Sequence, residues 1–554
     1  MKKYFSLAVV FVLLYATLLT AIPTSAVTAG PYDYTKGSIN SINVSTTTSL
    51  EDGKANYYKA TVNSSWHGLK ETYHNLTTHV TIGSQYTKFF VYSAESDNKM
   101  SYSKKSVLDL VTAFEKENPD WQVVAAVNGD FFNTNTGEPE EPMIQNGQTL
   151  KANLLPDYER RGGGLVGTND NTGKVVYHTI GPAYSQAGYG TKYQFRGDYQ
   201  VQILDSSKKK VTKTYDAFVS KAPTSATVSF VTVDSGAVNY SGLTVYEVEL
   251  ERYRKDTGSK NNSRYCDGNM YFAQGKVTKT LSGTSNMKPS SGKVYIAVTS
   301  SSQLPELKVG AYVRCQKVLM GEWDNVSNAI GFKQQILAEG NLMFKNAYSR
   351  YHTEDGASKS ETEKWTEDIY DYPHCWKART AIGFKADGSF VFMTIPYNGK
   401  LGATYYEMSD LFKSLGCTDA FLLDGGGSST MVIREGGSLK TVMHAEEAND
   451  GEGRSIANIA IMAVKKDGSL AFETETATQK QTSKSTTKKT DKKTDKASES
   501  ISDGSSELSS GSGMFEEDDG GCGSVLVFPA ILVTSGVAAI GFGKKRGDRK
   551  NKKK

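Results

Sequence analysis

The stretch that decides the fold is residues 419–430, which read DAFLLDGGGSST. The apolar run Ala420–Leu423 predicts a short buried strand, and it ends at the carboxylate of Asp424. Gly425, Gly426 and Gly427 follow; glycines let a backbone approach a ligand closely and expose its N–H groups. Three hydroxyl residues then complete the turn, ending at Thr430. Such a turn suits a phosphate or another anion, while a tight glycine turn without a ligand is the alternative.

Two motifs that often accompany such a turn are missing from it. No Lys follows the glycines, so the turn is not a P-loop. The G-x-S-x-G pattern of a nucleophile elbow does not occur there either. A Ser/His/Asp hydrolase built from Asp424, Ser428 and either His374 or His444 stays conceivable, although no spacing favours it.

A second apolar run, residues 123–127, predicts a buried central strand. It leads into Asn128 and Asp130, with Phe131 and Phe132 next to them. Polar groups at the end of a buried strand, beside aromatic faces, are typical of ligand pockets. A turn that serves only the core is the alternative interpretation.

Two arginines complete the set of residues that could hold an anion. Arg379 begins a predicted strand, and Arg454 follows a glycine-rich stretch. A guanidinium presents a planar fork of donors that matches phosphate oxygens. A structural or surface ion pair is the alternative for each.

The remaining patterns predict an α+β fold: one large, strand-rich domain over residues 30–470 with few helices. Residues 106–117 and 408–415 have helical periodicity, and residues 379–384 and 390–395 predict a hairpin across Asp387-Gly388. Residues 184–347 contain many short strands, and residues 456–464 form a last one. We expect one central sheet to bring the candidate site residues to a common edge.

Composition excludes some classes of protein. The net charge of +4 comes without a basic stripe interleaved with aromatics, so nucleic acid is not an expected partner. The five cysteines are Cys266, Cys315, Cys375, Cys417 and Cys522. None forms a C-x-x-C pair, and the histidines lack ligand spacing, so we expect no metal and no cofactor. Disulfides and buried thiols are both open interpretations.

Both ends of the chain have the composition of targeting segments. Residues 1–26 predict a secretory signal peptide, with an uncleaved anchor as the alternative. Residues 473–521 predict a disordered Ser/Thr/Lys/Asp-rich linker, and residues 525–542 a transmembrane helix. Residues 544–554 form a basic tail, expected on the cytoplasmic side. A processed sorting signal at Gly520–Gly523 is the rival interpretation. We therefore expect a cell-membrane protein with an extracellular ectodomain.

Several of these stretches, taken in order, resemble the phosphodiester glycosidase family. The similar segments are residues 126–132 (AVNGDFF), 142–147 (PMIQNG), 329–331 (AIG) with 336–340 (ILAEG), 379–383 (RTAIG), 419–429 (DAFLLDGGGSS) and 453–458 (GRSIAN). One departure stands after the strand that follows RTAIG: the family often has Gly-Arg, whereas this chain has Lys400. Lysine keeps the charge and loses the bidentate geometry of arginine.

The resemblance implies hydrolysis of the glycosidic bond in sugar-1-phosphate diesters, with a phosphoglycan or sugar phosphate as substrate. The candidate catalytic residues are Asp424, Asp130 and Arg379. If Asp424 is only a structural turn residue, the catalytic carboxylate is Asp130 or another acid such as Glu138 or Glu141. The phosphate would be stabilised by Arg379, Arg454, Ser428 and the amides of Gly425, Gly426 and Gly427, and the sugar positioned by Asn128, with Lys400 as a further contact. A surface protein that binds glycans in the same pocket without catalysis is the alternative, and a purely structural surface protein is a third.

Overall fold

The computed structural model describes residues 37–65, 74–93, 102–152, 164–179, 199–255, 270–319, 321–342, 377–397, 402–445 and 453–472. All of them fall within one unit, Met1–Ser485. They contain 25 strands and two α-helices, α1 (Val107–Glu117) and α2 (Tyr405–Ser414), with short 3-10 turns at Ser301–Gln303, Gly321–Trp323 and Gly426–Ser428. The predicted strand-rich fold with few helices is confirmed for this part of the chain.

The largest sheet has eight strands, all pairing antiparallel with their neighbours. Its strands are β1 (Ile39–Leu50), β2 (Ala55–Ser64), β3 (His74–Ile82), β18 (Gln334–Ala338), β19 (Asn341–Leu342), β20 (Arg379–Phe384), β21 (Phe390–Ile395) and β22 (Asp419–Leu422). Their order across the sheet is β1-β2-β3-β21-β20-β22-β18-β19. The predicted hairpin is β20–β21, and Gly388 provides its positive φ of 84°.

A second sheet has five strands in the order β24-β23-β5-β25-β4. They are β4 (Thr87–Tyr92), β5 (Trp121–Asn128), β23 (Thr430–Glu435), β24 (Ser438–His444) and β25 (Ile459–Lys465). Strand β5 has neighbours on both sides, and its residues from Val123 to Asn128 are buried. This explains its continuous apolar sequence, because neither face of the strand meets water.

The two sheets pack face to face between the two helices, which gives the order helix, sheet, sheet, helix. Phe89 of β4 contacts Phe390 of β21 with ring centroids 5.7 Å apart. On the outer side of the second sheet, Phe114 of α1 contacts Phe90 at 5.2 Å. Helix α2 covers the outer side of the large sheet, with Phe412 in that core. The expectation of one central sheet is therefore wrong: β5 and β22, which lead into the candidate carboxylates, belong to different sheets.

Serine and threonine fix where the helices begin. The Ser106 hydroxyl accepts a hydrogen bond from the Asp109 N–H at 3.1 Å, at the start of α1. At the start of α2, Thr404 and Glu407 form a reciprocal capping box. These local bonds define the observed starts. Helix α1 begins one residue after the predicted position 106, whereas α2 begins three residues before the predicted position 408, directly after its capping box.

A third sheet has five strands in the order β7-β6-β17-β8-β9. They are β6 (Met143–Gln145), β7 (Gln148–Lys151), β8 (Gly164–Thr168), β9 (Val175–Thr179) and β17 (Ala329–Phe332). Phe332 contacts Phe421 of the large sheet at 4.7 Å between ring centroids. The third sheet thus shares the core that lies between the first two.

The short strands predicted for the middle of the chain close into a seven-stranded barrel, in the order β10-β11-β12-β15-β13-β14-β16. They are β10 (Tyr199–Leu204), β11 (Val211–Val219), β12 (Val228–Val231), β13 (Thr244–Lys255), β14 (Met270–Ser282), β15 (Lys293–Val298) and β16 (Tyr312–Lys317). The barrel has its own apolar core, which includes Val201, Phe230 and Ile296. It contacts β7, where the Thr149 hydroxyl donates to the Lys317 carbonyl oxygen at 2.7 Å.

The structure shows the state of two of the five cysteines. Cys315 and Cys417 are buried free thiols, and burial raises the pKa of each to about 12. The thiol interpretation is confirmed for these two, while Cys266, Cys375 and Cys522 lie outside the described residues.

Within the described ranges, no helix has the length and apolar character needed to cross a bilayer. The segments predicted as signal, linker, membrane helix and tail lie outside those ranges.

Candidate active site

Asn128, at the end of β5, connects four segments of the chain. It is completely buried, and its Nδ2 donates to the Asp424 carbonyl oxygen at 2.7 Å. Its Oδ1 accepts from the Thr380 hydroxyl at 2.7 Å and from the Thr430 N–H at 3.1 Å. The side chain therefore holds the ends of β20 and β22 and the start of β23 against β5. A direct contact between Asn128 and a sugar stays a prediction.

Gly129 allows the two carboxylate-bearing segments to approach each other. Its carbonyl oxygen accepts from the Asp424 N–H at 2.8 Å, and its N–H donates to the Asn458 carbonyl oxygen at 2.8 Å. A Cβ at position 129 would lie only 2.0 Å from Asn458 Oδ1. That same oxygen accepts from the Asp130 N–H at 2.8 Å. Only glycine fits here, because any side chain would push Asn458 and Asp130 apart.

Asp130 and Glu141 form a buried acid pair. Asp130 is 2% exposed and Glu141 4%. Asp130 Oδ2 accepts from the Glu141 N–H at 2.8 Å, while Asp130 Oδ1 and Glu141 Oε2 have no hydrogen-bond partner among the described residues. Burial raises the pKa of both carboxyls well above their usual range. The charge of Glu140 adds to both shifts, and the charge of Asp130 adds to the shift of Glu141. Both carboxyls therefore bind a proton more tightly than ordinary carboxyls do.

Gly331 of β17 makes the space that the acid pair occupies. A Cβ at this position would lie 2.2 Å from the Glu141 Cβ and 2.6 Å from Asp130 Oδ2. The glycine of the AIG motif thus has a packing role directly behind the two acids.

Asp424 lies within electrostatic reach of Asp130, and its charge helps to raise the pKa of Asp130. Burial raises the pKa of Asp424 itself to about 6. The Ser428 hydroxyl, Lys333, the Gly425 N–H and Arg454 act in the opposite direction. The Ser428 hydroxyl comes near the carboxyl without meeting the distance and angle of a full hydrogen bond. With a pKa of about 6, Asp424 is therefore largely ionised at neutral pH.

Three cations surround these carboxyls. Lys333 is 4% exposed, its Nζ lies 4.2 Å from the centroid of the Phe131 ring, and its charge acts on both Asp424 and Glu141. Lys151 forms an ion pair with Glu138 at 2.9 Å. Arg454 is exposed, and its charge favours the ionised form of Asp424. The cluster thus combines buried acids with two buried lysines and one exposed arginine.

Arg379 begins β20 next to the glycine turn, and its side chain is directed at α2. Its Nε donates to the Ala403 carbonyl oxygen at 2.9 Å, and its guanidinium lies 4.6 Å from the centroid of the Tyr405 ring. Its charge also acts on buried Glu407, whose pKa burial raises to about 7. Arg379 is thus held by the start of α2, with its backbone against Gly425.

The glycine turn is a tight 3-10 turn whose amides are largely engaged within the protein. The Gly426 N–H donates to the Ala378 carbonyl oxygen at 2.9 Å, and the Ser428 N–H donates to the Gly425 carbonyl oxygen at 3.2 Å. Gly426 has a φ of 57°, which favours glycine. The Ser428 and Ser429 hydroxyls are buried without hydrogen-bond partners in the described part of the chain. Gly427 lies inside the same turn.

The structure brings Asn128, Asp130, Asp424, Ser428 and the glycine turn together, with Arg454 near Asp424 and Arg379 beside the turn. Lys400 lies outside the described residues. The Ser/His/Asp alternative is not assembled in the described residues, because His444 contacts the Ala445 carbonyl oxygen at 3.0 Å and Ser428 Oγ has no partner. His374 is outside the described ranges.

Sequence reasoning missed several residues of this cluster. Lys151 and Lys333 had no signal, since each becomes part of the site only through sheet packing. Asn458 lies in the segment GRSIAN, and Glu141 was considered only as a substitute acid. Glu140 and Glu141 were the one available hint, because two acids stand side by side just before the apolar motif that begins at Pro142. Acids are rarely buried, so such a pair next to a core segment is unusual.

Comparisons with known proteins give one relative by sequence and several by structure. An uncharacterized SPbeta prophage-derived protein, YomE of Bacillus subtilis strain 168, is 36% identical over 91 residues, which is 16% of this chain and 13% of that protein. A hypothetical protein from Synechocystis is similar in structure, with a TM-score of 0.37, 14% identity, and coverage of 74% of this chain and 62% of the other.

The catalytic domain of zebrafish N-acetylglucosamine-1-phosphodiester alpha-N-acetylglucosaminidase gives a TM-score of 0.32 at 12% identity, covering 76% of this chain and 87% of that one. The phosphodiester glycosidase family profile matches residues 252–463, which include Arg379, Asp424 and Arg454, while Asn128 and Asp130 precede the match. Over residues 252–463 this chain therefore matches the phosphodiester glycosidase family, which confirms the resemblance drawn from its motifs.

Proposed function

We propose that this chain hydrolyses the glycosidic bond of sugar-1-phosphate diesters. The family match supports a glycosidase-type function. The observation that carries the finer proposal is the meeting of Asp130 and Asp424, which come from two different sheets. Burial raises the pKa of Asp424 to about 6, while burial and the charge of Glu140 raise the pKa of Asp130 well above its usual range. Glycosidases need such a pair of unlike carboxyl groups.

The charge states suggest how the work is divided. Asp424, with a pKa of about 6, is the ionised carboxylate that stabilises positive charge on the sugar ring, as nucleophile or as base. The Asp130–Glu141 pair, whose pKa values burial raises well above their usual range, supplies the acid function on the leaving-group side. A phosphate ester is already a good leaving group, so stabilising its negative charge matters more than protonating it.

The cations and the turn supply that stabilisation. Arg454 is exposed and close to Asp424, so its guanidinium can contact the phosphate directly. Lys333 adds a buried positive charge next to the same carboxyl. The Ser428 and Ser429 hydroxyls, which are buried and lack partners in the described residues, are donors available to a bound substrate. Arg379 supports the turn from behind, through its backbone against Gly425.

The test is an assay of the purified protein against a model sugar-1-phosphate diester, following release of the free sugar and the phosphomonoester. Hydrolysis by wild type and loss of hydrolysis in Asp424→Asn would support the proposal. A folded protein that binds the diester without turning it over would instead support the glycan-binding alternative, in which the same pocket has no catalytic role.

The location of this activity rests on sequence alone. We propose a secreted, membrane-anchored ectodomain at the cell surface, on the strength of the signal-like residues 1–26, the apolar residues 525–542 and the basic tail. Phosphodiester-linked glycans of exopolysaccharides, cell walls or host surfaces are the substrates that such a location makes available.

A further inference from the structure

Arg314 of β16 is a buried cation held only by neutral groups. Only 1% of the surface of Arg314 is exposed. Nε donates to Gln274 Oε1 at 3.3 Å, and Nη1 donates to Gln202 Oε1 at 3.2 Å. Nη2 is buried and has no hydrogen-bond partner among the described residues. A guanidinium carries five N–H donors, so this environment leaves part of it unsatisfied.

The missing element is a negative charge. No carboxylate of the described residues forms an ion pair with Arg314, and the charge that acts on it most is the positive charge of Arg252. Burial, with a contribution from Arg252, lowers the pKa of Arg314 to about 10, so the group is still protonated at neutral pH. An uncompensated buried charge is strongly unfavourable. Arg434 gives the contrast within the same chain: it is also buried, and both oxygens of Glu115 accept from it, at 2.7 and 2.9 Å.

Arg252 and Arg314 lie around the same aromatic ring. The guanidinium carbon of each is 5.9 Å from the centroid of the Phe272 ring. Arg252 is half-buried, and its Nη1 donates to Gln148 Oε1 of β7 at 3.2 Å. The positive charge of Arg252 acts on Arg314, so an anion beside the unsatisfied Nη2 of Arg314 would be attracted by both groups. Paired guanidinium groups match the several oxygens of a tetrahedral oxyanion.

We propose that Arg252 and Arg314 form a binding site for a phosphate group where the barrel meets β7, here called the junction site. Gln148, Gln202 and Gln274 line it, and their amide groups can rotate to donate to the anion. The junction site is separate from the candidate active site. Gln148 and Lys151 stand at opposite ends of β7, ~10 Å apart along an extended strand. The proposal therefore stands or falls independently of the glycosidase activity.

Hydrogen exchange measured by mass spectrometry on the full-length chain tests the junction site locally. Exchange is compared in chloride and in inorganic phosphate at equal ionic strength, and a third arm uses a sugar 1-phosphate. We expect phosphate to slow exchange in peptides that contain residues 147–151 and 312–317. Slower exchange in inorganic phosphate would show that the free anion is enough to occupy the site. Slower exchange in the sugar 1-phosphate alone would show that the site requires a phosphate ester. Peptides containing residues 424–430 report separately on the candidate active site.

The variant Arg314→Gln should lose this protection, while Arg434→Gln, which removes a buried arginine that already has a carboxylate partner, should keep it. If Arg314→Gln does not fold, Arg252→Gln provides the same test from the half-buried side. Two results would overturn the proposal: exchange at the junction of wild type that is as fast in phosphate and in sugar 1-phosphate as in chloride, or slowing that persists in the arginine variant that folds.

Discussion

The side-chain amide of Asn128 donates a hydrogen bond to the carbonyl oxygen of Asp424 at 2.7 Å, across a sequence separation of 296 residues. A second bond, from the Asp424 N–H to the Gly129 carbonyl oxygen at 2.8 Å, reinforces it. Both polar groups of the Asp424 backbone are thus fixed by the end of β5. The position of the Asp424 carboxyl relative to Asp130 is therefore set by the backbone and does not depend on substrate.

Replacing Asp424 by Asn should abolish hydrolysis while leaving the fold intact. The amide is nearly isosteric, yet it cannot carry the negative charge that the reaction requires. Loss of such a group lowers the rate by about 10²–10⁴-fold as a base, and by more as a nucleophile. The measurement is kcat on a sugar-1-phosphate diester. Asp419→Asn, at the other end of β22, is the matched control and should keep its activity. Near-wild-type turnover in Asp424→Asn would transfer the catalytic role to Asp130 or Glu141.

Arg454→Ala and Arg379→Ala should both weaken the reaction, and only the second should destabilise the protein. Arg454 is exposed, so its removal costs substrate binding and little folding energy. Arg379 donates to the Ala403 carbonyl oxygen, and its charge partly offsets the burial that raises the pKa of Glu407, so its removal should cost roughly 1–3 kcal/mol. Thermal unfolding and kcat/KM, measured on both variants, separate the two effects. Equal melting temperatures for the two variants would contradict this assignment.

Gly331→Ala should disrupt the acid pair. The added Cβ would lie 2.2 Å from the Glu141 Cβ, so Glu141 or β17 has to move. Overpacking of this kind typically costs about 1–3 kcal/mol, and the displaced carboxyls should also lower kcat. Gly236→Ala is a suitable control, because a Cβ there meets nothing within 4 Å. An alanine variant at 331 with unchanged stability and turnover would show that the acid pair has more freedom than its packing indicates.

Glu141→Gln should reduce the loss of stability that accompanies rising pH. Burial raises the pKa of Glu141 above its ordinary value of 4.5, so the folded state binds its proton more tightly than the unfolded state does. The associated stability is present below pH 4.5 and declines as pH rises towards the folded-state pKa. Urea unfolding between pH 4 and 8 measures the slope. The exposed Glu117→Gln is the control, and identical slopes for wild type and Glu141→Gln would count against a raised pKa.

A fragment of residues 29–472 should fold cooperatively without the rest of the chain, and it should be more stable than 29–470. The Ala471 N–H donates to the Gln85 carbonyl oxygen at 3.1 Å, and the Phe472 ring packs against Gly173. Ending the chain at Leu470 removes both contacts. Circular dichroism melts of the two fragments provide the comparison. Failure of 29–472 to unfold in one transition would show that the predicted domain boundary is wrong.

The sequence by itself determined the local elements and the residues at their ends. The apolar runs at 123–127 and 420–423 each became a buried strand, and the hairpin across Asp387-Gly388 and both helices lie where the patterns predict. These features depend on side-chain periodicity and on turn and cap residues, which act over a few neighbouring positions. For the same reason the sequence identified Asp130 and Asp424 as acids that follow buried strands.

Only the tertiary structure decided which residues meet. It placed the two strands in different sheets, closed seven strands into a barrel, and brought Lys333 and Glu141 to the carboxyls. Pairing between distant strands leaves no periodic signal in either strand, since each pattern reports only which face is buried. Protonation depends on burial and on neighbouring charges, both of which are properties of the assembled fold. The raised pKa values of Asp424 and of the acid pair therefore could not be predicted from the sequence.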